Sequence, residues 1–239
     1  MRNISSQSRI LTVIVPCYNE ESTIKELLES VLKQRIVKQV IVINDCSTDR
    51  SLTIIKSVRN SKIKLINNTV NMGKGFCVNR GLLEADGELV VIQDADLEYN
   101  PNEYMNLAMP IVNGYADVVY GSRFLPSSEK AVLYFWHKLG NSLLTLISNI
   151  FTNLALTDME TCFKMMRLDF AKQLKLKENR FGIEPEITAK LAKLEARFYE
   201  VAISYRGRTY KEGKKITWKD GFAALYCIIK YNTIKKVKS

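Results

Sequence analysis

Short apolar runs alternate with longer amphipathic stretches through the first half of the chain. Leu11 to Val15, Gln39 to Asn44, Ile63 to Ile66, Glu88 to Gln93 and Asp117 to Gly121 are rich in Val and Ile. Near-continuous β-branched runs of this length suit strands covered on both faces. Between them, apolar positions recur at helical spacing. Glu21 to Lys33 places Ile24, Leu27, Leu28, Val31 and Leu32 on one face. Asp49 to Arg59 follows Ser47-Thr48, a capping-type pair, and Lys74 to Glu84 and Pro101 to Val112 complete the set, the last opening on a proline suited to a helix start. Strand and helix in alternation predict a mostly parallel, doubly wound α/β sheet.

The second half is less regular. Ala131 to Leu156 reads as a long helix broken near Gly140, Phe163 to Leu168 and Phe198 to Ser204 as strands, and Ile183 to Leu194 as a helix. Trp218 to Tyr231 reads as a last amphipathic helix before a basic tail. This divides the chain into an extension (residues 1–10), one catalytic-sized domain (11–217) and a C-terminal helix with its tail (218–239).

With 239 residues, 46% of them apolar, the chain can bury a core without staples. The five cysteines, Cys17, Cys46, Cys77, Cys162 and Cys227, are scattered and odd in number. They read as reduced thiols, not as a disulfide framework or zinc site. No run of 18 apolar residues predicts a membrane span, and the N-terminus lacks a signal-peptide core, so a cytoplasmic location is expected. The net charge is +10, and from Tyr205 to Ser239 ten Lys or Arg face two acids, which concentrates +8 there. Such a tail suits phosphates or an anionic membrane surface, or is simply solvated.

Ligands of a doubly wound sheet sit beyond the carboxyl ends of its strands. Here those ends read PCYNE, NDCSTD and QDADLE. In Asp94-Ala95-Asp96, extended backbone would point both carboxylates to one side, where they can share a hard divalent cation such as Mg²⁺ or Mn²⁺. Such a cation bridges a diphosphate and offsets the charge of a departing group. Glu98 is a candidate third ligand. A lone DxD is also common in solvated turns, so its context matters.

That context is TVIVPCYNEES, VIVINDCSTDRS, NMGKGFCVNRG and VIQDADLEYNP, in order along the chain. The chain resembles the family 2 glycosyltransferases, which have the GT-A fold. The resemblance implies a nucleotide-sugar donor, a UDP- or GDP-hexose. It makes Pro16, Tyr18, Glu20 and Asp45 nucleotide contacts, puts Lys74 near the donor phosphates, and gives Asp94, Asp96 and Glu98 to the metal. Two departures stand out: Asn44-Asp45 replaces a paired Asp, and Cys46 replaces a glycine.

The second half, through GSRF, DMETCFKMMR, FGIEPEI and SYRGRTYKEGKKI, is similar to the dolichyl- and polyprenyl-phosphate hexosyltransferases. That similarity implies a lipid-phosphate acceptor met by Arg123 and Arg208. Lys164 stands where Arg is common, and Thr161-Cys162 where Gly-Ser is. Independently, Arg206, Arg208, Lys211, Lys214 and Lys215 surround Gly207 and Gly213 in a basic loop suited to closing over phosphates, with Arg208 expected to act in catalysis. A plain basic hairpin is the other reading. Nucleic acid is not expected, since Tyr205, Tyr210 and Trp218 form no recognised stacking motif.

An anionic lipid phosphate attacking with inversion needs no base. A hydroxyl acceptor on a saccharide, glycolipid or protein, the alternative reading, needs one, and Glu184, Glu186 and Asp158 are the candidates. A catalytically silent module of the same fold is the remaining alternative, against which the intact DxD, Lys74 and Arg208 speak. His137, alone on an apolar helix, reads as structural. The last helix, with Phe222, Leu225, Tyr226 and Ile229 on one face, suits either peripheral membrane contact or packing on the protein's own core.

Overall fold

The computed structural model describes residues 9–126, 132, 134–207 and 218–233. Seven strands form one sheet: β1 (Leu11–Cys17), β2 (Val37–Asn44), β3 (Ile63–Asn67), β4 (Leu89–Ile92), β5 (Val118–Ser122), β6 (Lys164–Arg167) and β7 (Phe198–Ala202). Their spatial order is β3-β2-β1-β4-β6-β5-β7. All neighbours are parallel except β6, which runs antiparallel to both β4 and β5. The expected mostly parallel α/β sheet is present.

The strands form where Val and Ile run continuously because both faces are covered. Val13, Ile14, Ile41, Val42 and Val91 are all fully buried. Ile14 lies opposite Ile41 on one side and Ile92 on the other. Between the strands run α1 (Ile24–Lys33), α2 (Ser51–Ser57), α3 (Lys74–Glu84) and α4 (Tyr104–Val112), the last entered through a 3₁₀ turn at Pro101–Glu103. Successive strands are laid to one side of β1 through β3, and β4 then returns to its other side. The strand order therefore reverses between β1 and β4, the crevice where a ligand is expected.

The remaining helices are α5 (Phe135–Thr152), α6 (Leu168–Gln173), α7 (Ile183–Lys193) and α8 (Trp218–Thr233). Two expectations need correction, and one helix was not anticipated. α5 is not broken at Gly140, which lies in open space inside a continuous helix; the helix ends instead at Asn153, in left-handed conformation with φ 55°. α6 was not foreseen, because six residues carry too little periodicity. Ser47 and Thr48 do not cap α2; Asp49 accepts from the Ser51 amide at 2.9 Å, and the other two tie loops together, as set out below.

α8 packs on the protein's own core, but through a different face from the one the sequence singled out. It buries Ala224, Cys227, Ile228 and Tyr231, packing on α7, while Phe222, Tyr226 and Ile229 stay exposed. The five cysteines are all unpaired with one another. Among the described residues no helix is long and apolar enough to cross a membrane.

Candidate active site

The loops after β1 and β2 are braced against each other. The Asn19 amide donates to Ser47 Oγ at 3.1 Å, and Asn19 Oδ1 accepts from the Thr48 amide at 2.8 Å. The Glu20 amide donates to Ser51 Oγ at 2.8 Å and the Glu21 amide to Asp49 Oδ2 at 3.0 Å. Asn19 and Cys46 both take positive φ, 53° and 60°. Cys46 thus occupies the left-handed conformation that glycine adopts without strain. Glu20 is buried and Pro16 half-buried, whereas Tyr18 is 38% exposed.

Asp45 is buried, and its carboxylate organises the next loop. It accepts from Asn68 Nδ2 at 2.8 Å, the Met72 amide at 3.0 Å and the Gly73 amide at 2.7 Å. The carboxylate expected to meet a nucleotide is therefore engaged inward. Gly73 adopts φ 94°, and the backbone of Glu178 and Asn179 lies so close to Gly73 and Gly75 that neither position has room for a Cβ. The Gly75 amide donates to the Asn179 carbonyl at 2.8 Å. Two glycines here let one loop nest under another, and Lys74 is presented between them.

Lys74 Nζ lies 2.9 Å from Asp94 Oδ1 and 2.9 Å from Glu184 Oε1. Burial alone would lower its amine, but Asp94 and Glu184 outweigh burial and hold it well above the ordinary lysine value. Burial would likewise raise Asp94, yet the Lys74 charge and hydrogen bond, with a further bond from the Cys162 thiol, keep it below the usual carboxylate range. Asp94 is thus a committed anion beside a committed cation. Burial also pushes the Cys162 thiol well up, so it stays a neutral donor.

β4 ends at Ile92, so Asp94 to Glu98 form a bend and not the extended run expected from sequence. Asp96 Oδ1 accepts from the Glu98 amide at 3.1 Å. Glu98 Oε2 accepts from Tyr205 Oη at 2.7 Å, and the Glu98 carbonyl accepts from the Arg206 amide at 3.1 Å. Glu98 is directed to the segment after β7. Among the described residues no three acids, histidines or cysteines gather as a metal cluster. Asp94, Asp96 and Glu98 bring the carboxylate oxygens of this segment, the donor type a hard cation takes. A cleft of about 750 Å³, lined by Thr23, Glu98, Asn100, Ser204 and Arg206 among others, opens beside this bend.

Three further candidates are committed elsewhere. Arg123 grips Asp158 through Nε and Nη2, each at 2.7 Å, and its guanidinium lies 5.3 Å from the Tyr205 ring centroid. Asp158 is fully buried and also accepts from Asn141. Glu186, equally buried, accepts from the Lys177 and Glu178 amides and from Lys190 Nζ at 2.6 Å. Of the three candidate bases only Glu184 keeps an unused oxygen: Oε2 is buried with no hydrogen-bond partner. Arg208, Lys211, Lys214 and Lys215 lie outside the described residues. His137 contacts the Tyr134 ring on α5, with centroids 5.9 Å apart.

Glu160 was not singled out from the sequence. Its Oε1 is buried without a partner, and burial, reinforced by Glu184, pushes its carboxyl up to about 7 against the pull of Lys164 and Arg123. Lys164 is fully buried; its ammonium donates to the Met159 and Thr161 carbonyls and lies 4.7 Å from the Tyr120 ring centroid. The signal was available: DMETCFK sets two acids and a base in an otherwise apolar stretch.

The sequence model of Glycosyl transferase family 2 matches residues 12–175. A dolichyl-phosphate beta-glucosyltransferase of Trichomonas vaginalis is 30% identical over 216 residues, 82% of this chain and 65% of that protein. A dolichol-phosphate mannosyltransferase of Pyrococcus furiosus is 31% identical over 132 residues, 54% of this chain and 37% of its own. The chain thus spans less than two thirds of the length of these two relatives. A crystal structure of glucosyl-3-phosphoglycerate synthase from Mycobacterium tuberculosis, in complex with Mn²⁺, UDP and glucosyl-3-phosphoglycerate, matches with a TM-score of 0.72 at 18% identity, over 96% of this chain and 82% of that one. The likeness is one of fold, the GT-A type expected from the motifs.

Proposed function

The chain belongs to the family 2 glycosyltransferases, and we propose that it transfers a hexose with inversion from a UDP- or GDP-sugar to a polyprenyl or dolichyl phosphate. The observation that carries this reading is the Asp94–Lys74–Glu184 bridge at the crevice between β1 and β4. It holds a half-buried cation and an ionised carboxylate where a diphosphate would lie. The two relatives named for dolichyl-phosphate sugar transfer support the acceptor class.

In this reading Lys74, turned from Asp94 toward the donor, meets a diphosphate oxygen and steadies the leaving group. Asp94 and Asp96 would hold Mg²⁺ or Mn²⁺; the solved relative that binds Mn²⁺ with UDP supports this. The ionised state of Asp94 and the all-oxygen donor set suit such an ion. When bound, it neutralises charge on the departing diphosphate. The loops after β1 and β2, with Tyr18 at the opening, form the nucleotide side. An acceptor phosphate attacks the anomeric carbon as the bond to the diphosphate breaks; it is already an anion, so no protein base takes a proton. Arg208 is retained as the acceptor-side or diphosphate cation on motif grounds. Arg123 contributes by placing Tyr205 and Asp158.

A lipid acceptor requires a membrane surface. Phe135, Trp136, Leu139, Leu143, Leu146 and Ile150 are all exposed on α5, which packs against α8 with its exposed Phe222, Tyr226 and Ile229. Apolar rows on two neighbouring helices, followed by the basic residues Lys235, Lys236 and Lys238, suit peripheral association with an anionic, cytoplasmic-face membrane. The deciding experiment incubates the protein with Mn²⁺, a panel of UDP- and GDP-hexoses and a polyprenyl phosphate. Glycolipid and free nucleoside diphosphate should form together with one donor. Absence of both with every donor would remove the reading.

A further inference from the structure

Lys74 is the first residue of α3, and the amides that open a helix have no partner within it. No side chain caps them here. Instead the Asn179 carbonyl accepts from the Gly75 amide at 2.8 Å and from the Phe76 amide at 3.3 Å. The irregular segment 174–182, which joins α6 to α7, thus closes the start of α3 from outside. Lacking a hydrogen-bonded ladder of its own, that segment must be held by side chains.

Two acids hold it. Glu186 on α7 accepts from the Lys177 and Glu178 amides, each at 2.8 Å. Glu178 reaches the other way, to α8: its Oε1 accepts from Lys230 Nζ at 2.8 Å and from Tyr231 Oη at 2.7 Å. Gly182 makes room for this crossing, since a Cβ there would lie 2.5 Å from Cys227 Sγ and 3.4 Å from Glu178 Oε2. Burial would raise the Glu178 carboxyl, but the Lys230 and Tyr231 bonds, the Lys230 charge and a bond from the Cys227 thiol hold it below its ordinary value. Burial pushes that thiol up to about 12, so it stays a neutral donor. Cys227, Lys230 and Tyr231 stand at i, i+3 and i+4, so one face of α8 converges on one carboxylate. Ala224 and Ile228 already supply apolar packing for this helix. What the three polar contacts add is a fixed place for the 178–179 peptide, against which Gly75 rests.

We propose that Glu178 is a positioning residue for Lys74: by clipping the 178–179 peptide to α8 it fixes the first turn of α3, and with it the ammonium that meets the donor diphosphate. This rests on the nucleotide-sugar reading above. The carboxylate acts through backbone, from its own peptide to the Gly75 and Phe76 amides and so to the adjoining Lys74.

The test is a double-mutant cycle read by calorimetry with Mn²⁺ and whichever of UDP and GDP the wild type binds, each variant first shown to be folded by thermal unfolding. Glu178→Ala should weaken that binding about tenfold, the scale of one displaced charged hydrogen bond, and raise KM for the nucleotide hexose likewise. KM for polyprenyl phosphate should stay as in the wild type. Glu178→Gln, which still accepts from Lys230 and Tyr231, should recover most of the loss. Tyr231→Phe, which deletes a single hydroxyl, should show a smaller loss of the same kind. In a Lys74→Met background Glu178→Ala should weaken binding no further. Equal losses in both backgrounds would overturn the role, because a merely structural clip would lower affinity whether or not Lys74 is present. Unchanged affinity in both Glu178→Ala and Tyr231→Phe would overturn it as well. If the wild type binds neither UDP nor GDP, the nucleotide-sugar reading fails and this role falls with it, whereas wild-type binding with additive losses sinks this role alone.

Discussion

Arg123 and Asp158 form a two-pronged ion pair, both contacts at 2.7 Å, with Asp158 wholly removed from solvent. A guanidinium so matched to a carboxylate is a fixed strut. The Asp158 oxygens also receive the Arg123 amide and Asn141, which leaves little capacity for proton transfer. Asp158→Asn should therefore act on stability: removing one partner of a buried pair costs about 3–5 kcal/mol. Urea denaturation should show a midpoint lowered accordingly. A midpoint within error of the wild type, with turnover abolished, would instead make Asp158 a chemical participant.

Lys74 sits between two carboxylates, and its removal leaves them facing each other. Lys74→Met should weaken nucleoside diphosphate binding at least about tenfold, since a charged hydrogen bond to phosphate is lost. Asp94→Asn and Asp96→Asn should each lower transfer about 10²- to 10³-fold in the presence of Mn²⁺, the scale seen when one element of electrostatic stabilisation is removed. Calorimetry and single-turnover assays separate the two effects. Undiminished turnover of both Asp variants in chelator would rule out the metal role.

Much of this centre was legible because its residues lie in contiguous motifs. The strand runs placed PCYNE, NDCSTD and QDADLE at one edge of the sheet, and Lys74 to Glu84 matches the observed helix end to end. What sequence could not show was partnership. Asp45 looks outward by motif and inward by hydrogen bonding, because the loop it holds lies almost thirty residues on. Glu98 reads locally as a ligand two residues past Asp96; its bond from Tyr205, more than a hundred residues away, has no local signal. Glu160 could be suspected from the charged residues of DMETCFK, but its burial among Lys164, Arg123 and Glu184 depends on segments brought together only by the fold.

Glu160 also predicts a pH dependence. Its folded carboxyl titrates at about 7, above the ordinary 4.5, because burial, then Glu184 and Asp158, outweigh Lys164 and Arg123. The folded state binds that proton more tightly than the unfolded chain. Stability from this group is therefore present below pH 4.5, lost between 4.5 and 7, and absent above. Glu160→Gln should raise the unfolding free energy at pH 8 by at most about 3.5 kcal/mol, at ~1.4 kcal/mol per pKa unit, and the gain should fade by pH 5. Thermal unfolding of both proteins across this range measures it.

At Cys46 the backbone pays strain for a side chain. φ is 60°, and the thiol returns only a contact of 3.3 Å to the Thr69 carbonyl. Cys46→Gly should raise stability by about 0.5–1 kcal/mol, roughly 1–4 °C in Tm for a chain of this size. A loss of stability would mean that the thiol bond outweighs the strain.

Membrane contact through α5 is tested by charge. Replacing Trp136 and Leu143 with Glu should abolish co-sedimentation with vesicles containing anionic phospholipid, while transfer to a short, soluble polyprenyl phosphate persists. Both side chains are exposed, so Tm should shift little.

The antiparallel strand has a consequence for how the molecule is assembled. β4 and β5 are consecutive along the chain but never touch; β6 is slotted between them from more than forty residues downstream of β5. Until Lys164–Arg167 arrives during synthesis, both strands present bare hydrogen-bonding edges, and the bend that carries Asp94 has nothing on its far side. The same insertion delivers Cys162 to Asp94. A gene truncated after β5 would yield two open edges prone to pairing with other chains. The half from β1 to β5 therefore cannot be cut free as a module, and any recombination with another member of the family must exchange β6 together with the strands on either side of it.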